Sequence, residues 1–372
     1  MKKLVMIARE ITQIEIEKGI GTERSGTRLS PIFKTLDLNI PIKEGQKYIP
    51  SIPINPFDGT PMLMMPLLYI PNEESILFGT PSIIEKMKQQ KKQPTKIVSD
   101  PGKGTGSPII AASVETDDED ILILAPCDQY LSSAVKKAVE SIIENINSNE
   151  FKSGTVLTDG TKNPAFSYIK VKGKQAVEFM LKGTIPEKDM IAETMIVCVK
   201  AGYLKHQIIA MKNVTLDELK KLYPYSDEEL IKIQKQLQEI SKLIETCKTT
   251  DEYMEKCPFC DFSKVIHRLL IQNMTFATVK YNEEWDDLGD WVKIYRSSLY
   301  PKDEDGNVIF SKNGLISYSD CENSVIANFT DKKIIVRGLK NRIFAVGSRG
   351  TIDIPLDWNP QEFKKEVVKI QM

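Results

Sequence analysis

Hydrophobic and polar positions follow two alternating patterns between about residues 80 and 200. Short apolar runs typical of strands alternate with stretches in which apolar residues recur every three or four positions, which is typical of helices. The spacing predicts helices over residues 81–89 and 132–146 and a strand over residues 121–125. That strand is apolar at every position, as expected for a central parallel strand with both faces covered. The pattern therefore predicts a doubly wound α/β domain.

A second helical region follows this domain pattern. Residues 215–247 carry Leu, Ile and charged side chains at three- and four-residue spacing, and they begin with Thr215 and Glu218 in the order of a capping box. Pro224 predicts a break in this region, because proline cannot continue a helix through its backbone nitrogen.

The last part of the chain has a different pattern. Short β-like runs over residues 324–327, 333–337 and 342–346 are separated by turn residues, which predicts a small stacked β unit. Residues 360–369 have the spacing of a short amphipathic helix. We therefore predict one domain over residues 1–300 and a small C-terminal β unit with a terminal helix over residues 301–372.

Composition narrows the classes of partner. The 372 residues include 50 Lys and Arg against 51 Asp and Glu, so no overall positive field favours nucleic acid or an anionic membrane surface. No apolar run reaches the roughly 18 residues of a membrane span, and the first residues are too short an apolar stretch for a signal peptide. We expect a cytoplasmic protein without nucleic-acid or membrane partners, and a homo-oligomer is left open.

Two groups of residues suggest metal binding but have simpler interpretations. Cys257 and Cys260 have the spacing of half a zinc site, but the chain has only two histidines and no second close cysteine pair, so free thiols are favoured. The acidic run over residues 115–120 is interpreted as a solvated loop rather than a cation site, since crowded like charges repel one another and favour water.

A candidate phosphate-binding turn lies near the N-terminus, at Ser25, Gly26, Thr27 and Arg28. Glycine lets backbone amides approach an anion closely, and a guanidinium can bind two phosphate oxygens at once. Thr27 and Arg28 stand where a nucleotide-binding P-loop needs Lys and Ser or Thr, so a P-loop is rejected. The alternative is an ordinary surface turn.

Two carboxylates follow predicted strands. Asp128 comes directly after the apolar run at residues 121–125, and ligands of open α/β sheets bind at the carboxyl ends of such strands. Asp287 lies just beyond the strand predicted over residues 276–280. Carboxylates at these places suit Mg²⁺ held against the phosphates of a nucleotide. Alternatively, Asp287 caps the helix that follows it.

Taken in order, these motifs resemble the mannose-1-phosphate guanylyltransferase family over most of the chain. Residues 25–31 are similar to the second half of its Gly-Gly-x-Gly-Thr-Arg-Leu-x-Pro signature, and residues 285–291 to its Trp-Ser-Asp-Val-Gly-Ser-Trp motif. Further similar segments are residues 100–110, 125–129, 167–169, 179–183, 192–197, 305–308 and 336–339.

The resemblance implies a nucleotidyltransferase domain, GT-A-like and Rossmann-like, with a small β-helix-like C-terminal domain. It implies that GTP and a sugar 1-phosphate, mannose 1-phosphate in this family, react to give a GDP-sugar and pyrophosphate with Mg²⁺. The implied catalytic residues are Arg28, Lys182, Asp128 and Asp287, with Asp128 and Asp287 as the metal ligands. The implied nucleotide-binding residues are Ser25, Gly26, Thr27, Arg28, Asp100, Thr105 and Pro108, and the implied sugar-phosphate residues are Tyr168, Lys182 and Glu193.

The chain also departs from the family pattern. Glu23 and Arg24 stand where the signature has two glycines, and Glu193 replaces the usual asparagine. The alternative function is therefore a regulatory relative of the same fold that binds a nucleotide sugar and has lost efficient turnover. A nucleotidyltransferase that uses UTP, dTTP or CTP is less favoured, because residues 100–110 and 285–291 are similar to the guanylyl branch.

Overall fold

The computed structural model describes residues 1–8, 64–88, 92–100, 102–127, 129–159, 166–181, 186–187, 189–287, 291–296, 300–311, 315–328, 330–347 and 350–357. The predicted terminal helix at residues 360–369 lies outside these ranges. Within them, no helix combines the length and apolarity needed to cross a bilayer.

The strands of the first three quarters of the chain belong mostly to one large sheet. They are β1 Lys2–Ala8, β2 Glu74–Gly79, β3 Lys96–Ser99, β4 Ile121–Pro126, β5 Tyr130–Leu131, β6 Ser153–Asp159, β7 Tyr168–Lys172, β8 Gln175–Met180, β9 Met190–Lys200, β10 Met274–Lys280 and β11 Trp285–Asp286.

The helices agree with the predicted ones where the sequence pattern was regular. They are α1 Met65–Tyr69, α2 Pro81–Lys88, α3 Ser107–Val114, α4 Ser133–Asn147, α5 Ala201–Ala210, α6 Leu216–Leu222, α7 Asp227–Thr246, α8 Thr250–Lys256, α9 His267–Leu270 and α10 Trp291–Arg296, with a π-helix at Phe262–Ile266. The predicted helices at residues 81–89 and 132–146 and the break near Pro224 are confirmed. Thr215 and Glu218 form the predicted capping box.

Nine strands form the large sheet in the order β3-β2-β1-β4-β9-β6-β10-β8-β7. Strands β3, β2, β1 and β4 pair in parallel, and so do β6 and β10. Strand β9 lies between β4 and β6 and is antiparallel to both. Strand β7 is also antiparallel to β9. Seven strands therefore run in one direction, and their carboxyl ends lie along one edge of the sheet; they are β1, β2, β3, β4, β6, β7 and β10.

Both faces of this sheet are covered, because successive apolar residues of a strand point to opposite sides. Leu122 and Leu124 belong to the core shared with helix α3 and helices α5 to α9. On the other face, α4 packs against β6, β9 and β10, and it buries an apolar stripe that includes Val139 and Ile142. The predicted α/β arrangement and the central position of β4 are confirmed.

The C-terminal strands form smaller sheets in a unit of their own. They are β12 Val308–Ser311, β13 Ile316–Ser319, β14 Val325–Asn328, β15 Ile334–Arg337, β16 Arg342–Gly347 and β17 Gly350–Pro355. Strands β12, β14 and β16 pair in parallel, β13 pairs in parallel with β15, and β17 is antiparallel to β16. The chain thus alternates between two small parallel sheets, and the β-helix-like description stays a prediction.

The structure divides into two compact units. One contains the described residues of the ranges 1–8, 65–127 and 131–285, which include the large sheet, and the second contains the described residues from 286 onward together with residues 64, 129 and 130. The predicted domain boundary at residue 300 stays a prediction.

Candidate functional site

The candidate site lies at the carboxyl edge of the parallel strands. In open α/β sheets, ligands bind in the crevice beyond this edge, where the loops that follow the strands meet. The strands β3, β6 and β10 end there at Ser99, Asp159 and Lys280. The loop that follows β3 carries two of the predicted nucleotide-binding residues, Asp100 and Thr105, and a further one, Pro108, lies in the helix that comes next.

Asp100 is the first residue of this loop and is tightly held. Its backbone nitrogen donates to Gly79 O over 2.9 Å, and its Oδ1 accepts from the backbone nitrogens of Gly102 (2.8 Å) and Lys103 (3.0 Å). The residue is 1% exposed, and its Oδ2 has no hydrogen-bond partner among the described residues. A buried carboxylate oxygen without a partner is costly unless a ligand supplies a donor. Oδ2 is therefore a candidate ligand-binding atom.

Residues 102–107, called the 102–107 loop, are bonded to a distant part of the chain, residues 257–262, called the 257–262 segment. Gly106 N donates to Cys260 O over 2.9 Å, and Cys260 N donates to Lys103 O over 2.7 Å. Phe262 N donates to the Thr105 hydroxyl oxygen over 3.1 Å. The Thr105 side chain, predicted to contact the nucleotide, therefore accepts a hydrogen bond within the protein.

Two glycines are needed for this close approach. A Cβ on Gly104 would lie 2.2 Å from Cys260 O, and the backbone φ of Gly104 is +90°, which L side chains rarely adopt. A Cβ on Gly106 would lie 2.8 Å from the Cys260 sulfur. The 102–107 loop is thus in direct backbone contact with the 257–262 segment.

Helix α3 begins at the end of the 102–107 loop. Gly106 is its N-cap residue without a side-chain cap, and Pro108 lies in its first turn and is buried. Ser107 is completely buried, and its hydroxyl donates to Lys103 O (2.9 Å) and Pro258 O (3.1 Å). Ser107 therefore also joins the loop to the 257–262 segment.

Two buried thiols lie in the 257–262 segment. Burial raises the pKa of Cys257 to about 11 and raises the pKa of Cys260 well above its usual value. Both groups are therefore thiols at neutral pH, and neither has the thiolate character of a nucleophile. Across the part of the chain that the structure describes, no three His, Cys, Asp or Glu side chains are grouped as a metal site.

Glu193 and His267 form a completely buried pair. Glu193 Oε1 lies 2.6 Å from His267 Nε2, and both side chains are 0% exposed. Neither nitrogen of the His267 imidazole makes a hydrogen bond among the described residues. Thr155 donates its hydroxyl to the same Glu193 oxygen over 3.3 Å. The aromatic rings of Phe179 and Phe262 lie against the imidazole.

Tyr168, the other described residue of the predicted sugar-phosphate group, lies beside Glu193. It is completely buried in β7 and pairs with Ala192 of β9, and Glu193 N donates to Ser167 O over 2.9 Å. The structure thus brings Tyr168 and Glu193 together on neighbouring strands. Their sugar-binding role stays a prediction.

The remaining predicted residues are mostly outside the described ranges. Asp287 directly follows strand β11 and is half-buried. The residues outside the described ranges are Ser25, Gly26, Thr27, Arg28, Asp128 and Lys182. The predicted metal pair of Asp128 and Asp287 and the predicted phosphate contacts therefore stay predictions.

Sequence reasoning did not assign a role to Cys260, Phe262 or His267. The only signals were the Cys257 and Cys260 spacing, which was considered for zinc, and the rarity of histidine in the chain. Neither signal indicates a hydrogen bond to a loop more than 150 residues earlier in sequence, such as the one between Phe262 and Thr105.

Comparisons with known proteins place the chain by fold. No protein-family model matches it, and no curated protein matches it in sequence. The class that its structure defines is a mixed α/β protein with a largely parallel sheet and an additional set of short C-terminal strands.

One solved structure shares this fold over the full length. It is described as the mannose-1-phosphate geranyltransferase of Thermus thermophilus, with a TM-score of 0.63, 15% identity, and coverage of 100% of this chain and 99% of that chain. A protein described as a glucose-1-phosphate thymidylyltransferase of Bacillus anthracis has a TM-score of 0.45 and 13% identity over 80% of this chain and 94% of that chain. The mannose-6-phosphate isomerase of Helicobacter pylori has a TM-score of 0.42 and 16% identity over 77% of this chain and 99% of that chain. The latter two scores are too low to support an argument.

Proposed function

We propose that the protein is a sugar-1-phosphate nucleotidyltransferase that makes GDP-mannose and pyrophosphate from GTP and mannose 1-phosphate. The observation that carries this proposal is the fold likeness, over 100% of this chain, to the Thermus thermophilus protein, whose name includes mannose 1-phosphate. The ordered series of motifs that resemble the guanylyltransferase family supports the same substrates.

Asp100 supports guanine as the base. Guanine presents an amino group and a ring N–H as neighbouring donors, whereas adenine lacks both donors at these positions. Asp100 Oδ1 is already used by Gly102 and Lys103, and Oδ2 is the buried acceptor without a described partner. A donor from guanine would satisfy that oxygen.

The proposed reaction needs positioning and charge neutralisation more than a strong base. An oxygen of the sugar phosphate forms a bond to the α-phosphorus of GTP, and the bond from the α-phosphorus to the bridging oxygen breaks, so that pyrophosphate leaves. The attacking phosphate is already an anion, so no proton needs to be removed. Arg28 is proposed to neutralise the pyrophosphate and Lys182 to hold the sugar phosphate.

The donor set proposed for a metal fits Mg²⁺ in its chemistry. Asp128 and Asp287 offer carboxylate oxygens, the hard ligands that Mg²⁺ prefers in phosphate sites. Bound there, Mg²⁺ would supply neutralisation of the phosphate charges.

A direct assay tests the proposal. Purified protein is incubated with Mg²⁺, each nucleoside triphosphate and several sugar 1-phosphates, and pyrophosphate release is measured. We expect release with GTP and mannose 1-phosphate, lowered on the order of 10²-fold in Asp287→Asn. Asp227→Asn is the control, because Asp227 lies on the exposed surface of α7. Full release in Asp287→Asn would contradict the proposed role of Asp287.

Asp100→Asn tests the base. The asparagine oxygen can still accept from Gly102 and Lys103, while an NH₂ group replaces Oδ2 and can no longer accept from guanine. We expect the preference for GTP over ATP to fall by about 10- to 100-fold, the amount expected for one lost base contact. An unchanged preference would exclude Asp100 from base recognition.

The alternative, a regulatory relative that binds nucleotide sugars, is favoured by one observation. The Glu193 carboxylate, which stands where the family has asparagine, contacts His267 inside the core. A protein of this kind would bind GTP or GDP-mannose, as seen by calorimetry, without releasing pyrophosphate. The assay above therefore separates the two functions.

A further inference from the structure

The contact between the 102–107 loop and the 257–262 segment lies outside the residues that are proposed to act in the reaction. Four hydrogen-bond contacts join them, at Gly106 N to Cys260 O, Cys260 N to Lys103 O, Phe262 N to the Thr105 hydroxyl and the Ser107 hydroxyl to Pro258 O. Because Gly104 and Gly106 leave no space for a Cβ, the two backbones touch directly. A shift of the segment would therefore move the loop.

The 257–262 segment is itself anchored to the helical layer. Cys257 N donates to Tyr253 O at the end of α8 over 2.8 Å, and the Gln236 side chain of α7 donates to Phe259 O. Asp261 caps the π-helix through Lys264 N at 3.1 Å. The segment thus connects the loop to helices α7 and α8 and to the π-helix.

We infer that the 257–262 segment positions the nucleotide base, and that Thr105 and Ser107 are positioning residues that act through the 102–107 loop. This inference rests on the proposed function. Thr105 accepts from Phe262 N, and Ser107 is completely buried, so neither is assigned a direct contact with the base. The loop holds the backbone nitrogens of Gly102 and Lys103, which orient Asp100.

The expected kinetic effect follows from where the base sits in the reaction. The base is remote from the α-phosphorus, so its contacts are equally strong in the ground state and the transition state. Loss of such uniform binding raises KM and leaves kcat nearly unchanged. Loosening the loop should therefore weaken GTP binding and base preference together.

Ser107→Ala and Thr105→Val test the inference in the full-length protein. We expect each to raise the KM for GTP about tenfold, as for one lost hydrogen bond. The kcat and the KM for mannose 1-phosphate should change less than about twofold. The preference for GTP over ATP should decrease together with the affinity for GTP. Thr105→Ser keeps the hydroxyl oxygen, so its KM for GTP should equal that of the wild type.

Ser113→Ala is the matched control. Ser113 lies in the same helix α3, is also completely buried, and donates its hydroxyl to Ile110 O over 2.6 Å. It therefore measures the effect of the same chemical change on thermal stability without touching the 257–262 segment. Its KM for GTP should equal that of the wild type.

The outcomes separate this inference from the proposed function. If the wild type releases pyrophosphate and Ser107→Ala has the same KM and base preference as Ser113→Ala, the inference is wrong while the proposed function stands. A drop in kcat without a change in KM would also overturn it. If the wild type neither binds GTP nor releases pyrophosphate, the proposed function fails and this inference fails with it.

Discussion

At the residue scale, Glu193 and His267 form a buried polar pair that should contribute to the stability of the fold. Both side chains are 0% exposed, and Glu193 Oε1 lies 2.6 Å from His267 Nε2, while Glu193 Oε2 and His267 Nδ1 have no hydrogen-bond partner among the described residues. The two side chains are therefore polar neighbours inside the core. Removing one partner of such a buried pair leaves an uncompensated polar group in the core.

We predict that His267→Phe lowers the free energy of unfolding by about 3 kcal/mol, because the buried Glu193 carboxyl then loses its polar neighbour at Oε1. The double variant His267→Phe with Glu193→Leu should lose less than the sum of the two single variants, since it removes both polar groups. Urea denaturation measures these differences. His206→Phe, on an exposed position of α5, is the control and should have little effect. Strict additivity of the two changes would refute the pairing.

Gly104 and Gly173 separate backbone strain from steric contact. Both have positive φ values, +90° and +59°, but a Cβ on Gly104 would collide with Cys260 O, whereas a Cβ on Gly173 would meet nothing within 4 Å. We predict that Gly173→Ala costs about 1 kcal/mol of stability, from strain alone. Gly104→Ala should cost clearly more, as measured by denaturation. If the two substitutions lowered stability equally, the steric contact between residue 104 and Cys260 O would add nothing to the cost.

At the scale of elements, the acidic run at residues 115–120 is more than a solvated loop. Glu115, Asp118 and Glu119 each pair with a lysine of another element. Lys96 of β3 contacts Glu115 at 2.7 Å and Asp251 of α8 at 3.0 Å. These pairs join the end of α3 to β3 and α8. The predicted loop is therefore also a connection between elements.

The pH dependence of this connection has a definite sign. Burial raises the pKa of the Glu115 carboxyl, but hydrogen bonds from Lys96 and Thr250 outweigh this and hold the pKa below its usual 4.5. A lowered folded-state pKa contributes stability above the unfolded pKa and loses it as the pH falls through the folded value.

We therefore predict that Lys96→Met lowers stability at pH 7 by about 1 kcal/mol or less, since the pair is a third exposed. The difference from the wild type should shrink as the pH falls below 4.5, the usual pKa of Glu115. Urea titrations at several pH values measure it. Lys136→Met, which removes the long, exposed pair with Glu140, should show little change at any pH. A difference that grows at low pH would contradict the assignment.

The elements that depend on local sequence could be predicted. Helix α4, the capping box at Thr215 and the break near Pro224 follow from spacing, capping and proline chemistry within a few residues. By contrast, Met195 in β9 has a φ of +65°, and the pairing of β9 with β6 shifts register between Thr155 and Leu157. A bulge of this kind depends on the partner strand, which spacing in one strand does not specify.

At the scale of the whole molecule, the order of strands in the large sheet was harder to predict from the sequence than the α/β fold class. Alternating patterns indicate parallel strands, but they do not specify that β9 enters between β4 and β6 in the opposite direction. The same holds for the candidate site. Asp100 could be recognised from its similarity to a family motif, whereas its neighbours at Cys260 and Phe262 come from a segment far along the chain.

The whole-molecule test of the proposed function is stabilisation by ligand. A ligand that binds only the folded state raises the free energy of unfolding, by about 2.7 kcal/mol at 100 times its Kd. We predict that GTP raises the thermal midpoint more than ATP at equal concentration. In Asp100→Asn, the two nucleotides should give similar shifts. Equal shifts in the wild type would argue against guanine recognition.

The buried thiols of Cys257 and Cys260 allow local opening of the 257–262 segment to be measured by chemical labelling. Because burial holds the pKa of Cys257 at about 11, an alkylating reagent at neutral pH meets almost no thiolate in the closed state. Labelling of these two sulfurs then proceeds only when the segment detaches from its partner loop, so its rate measures how often that happens. A bound nucleotide that holds the 102–107 loop more firmly would lower the labelling rate at the same reagent concentration.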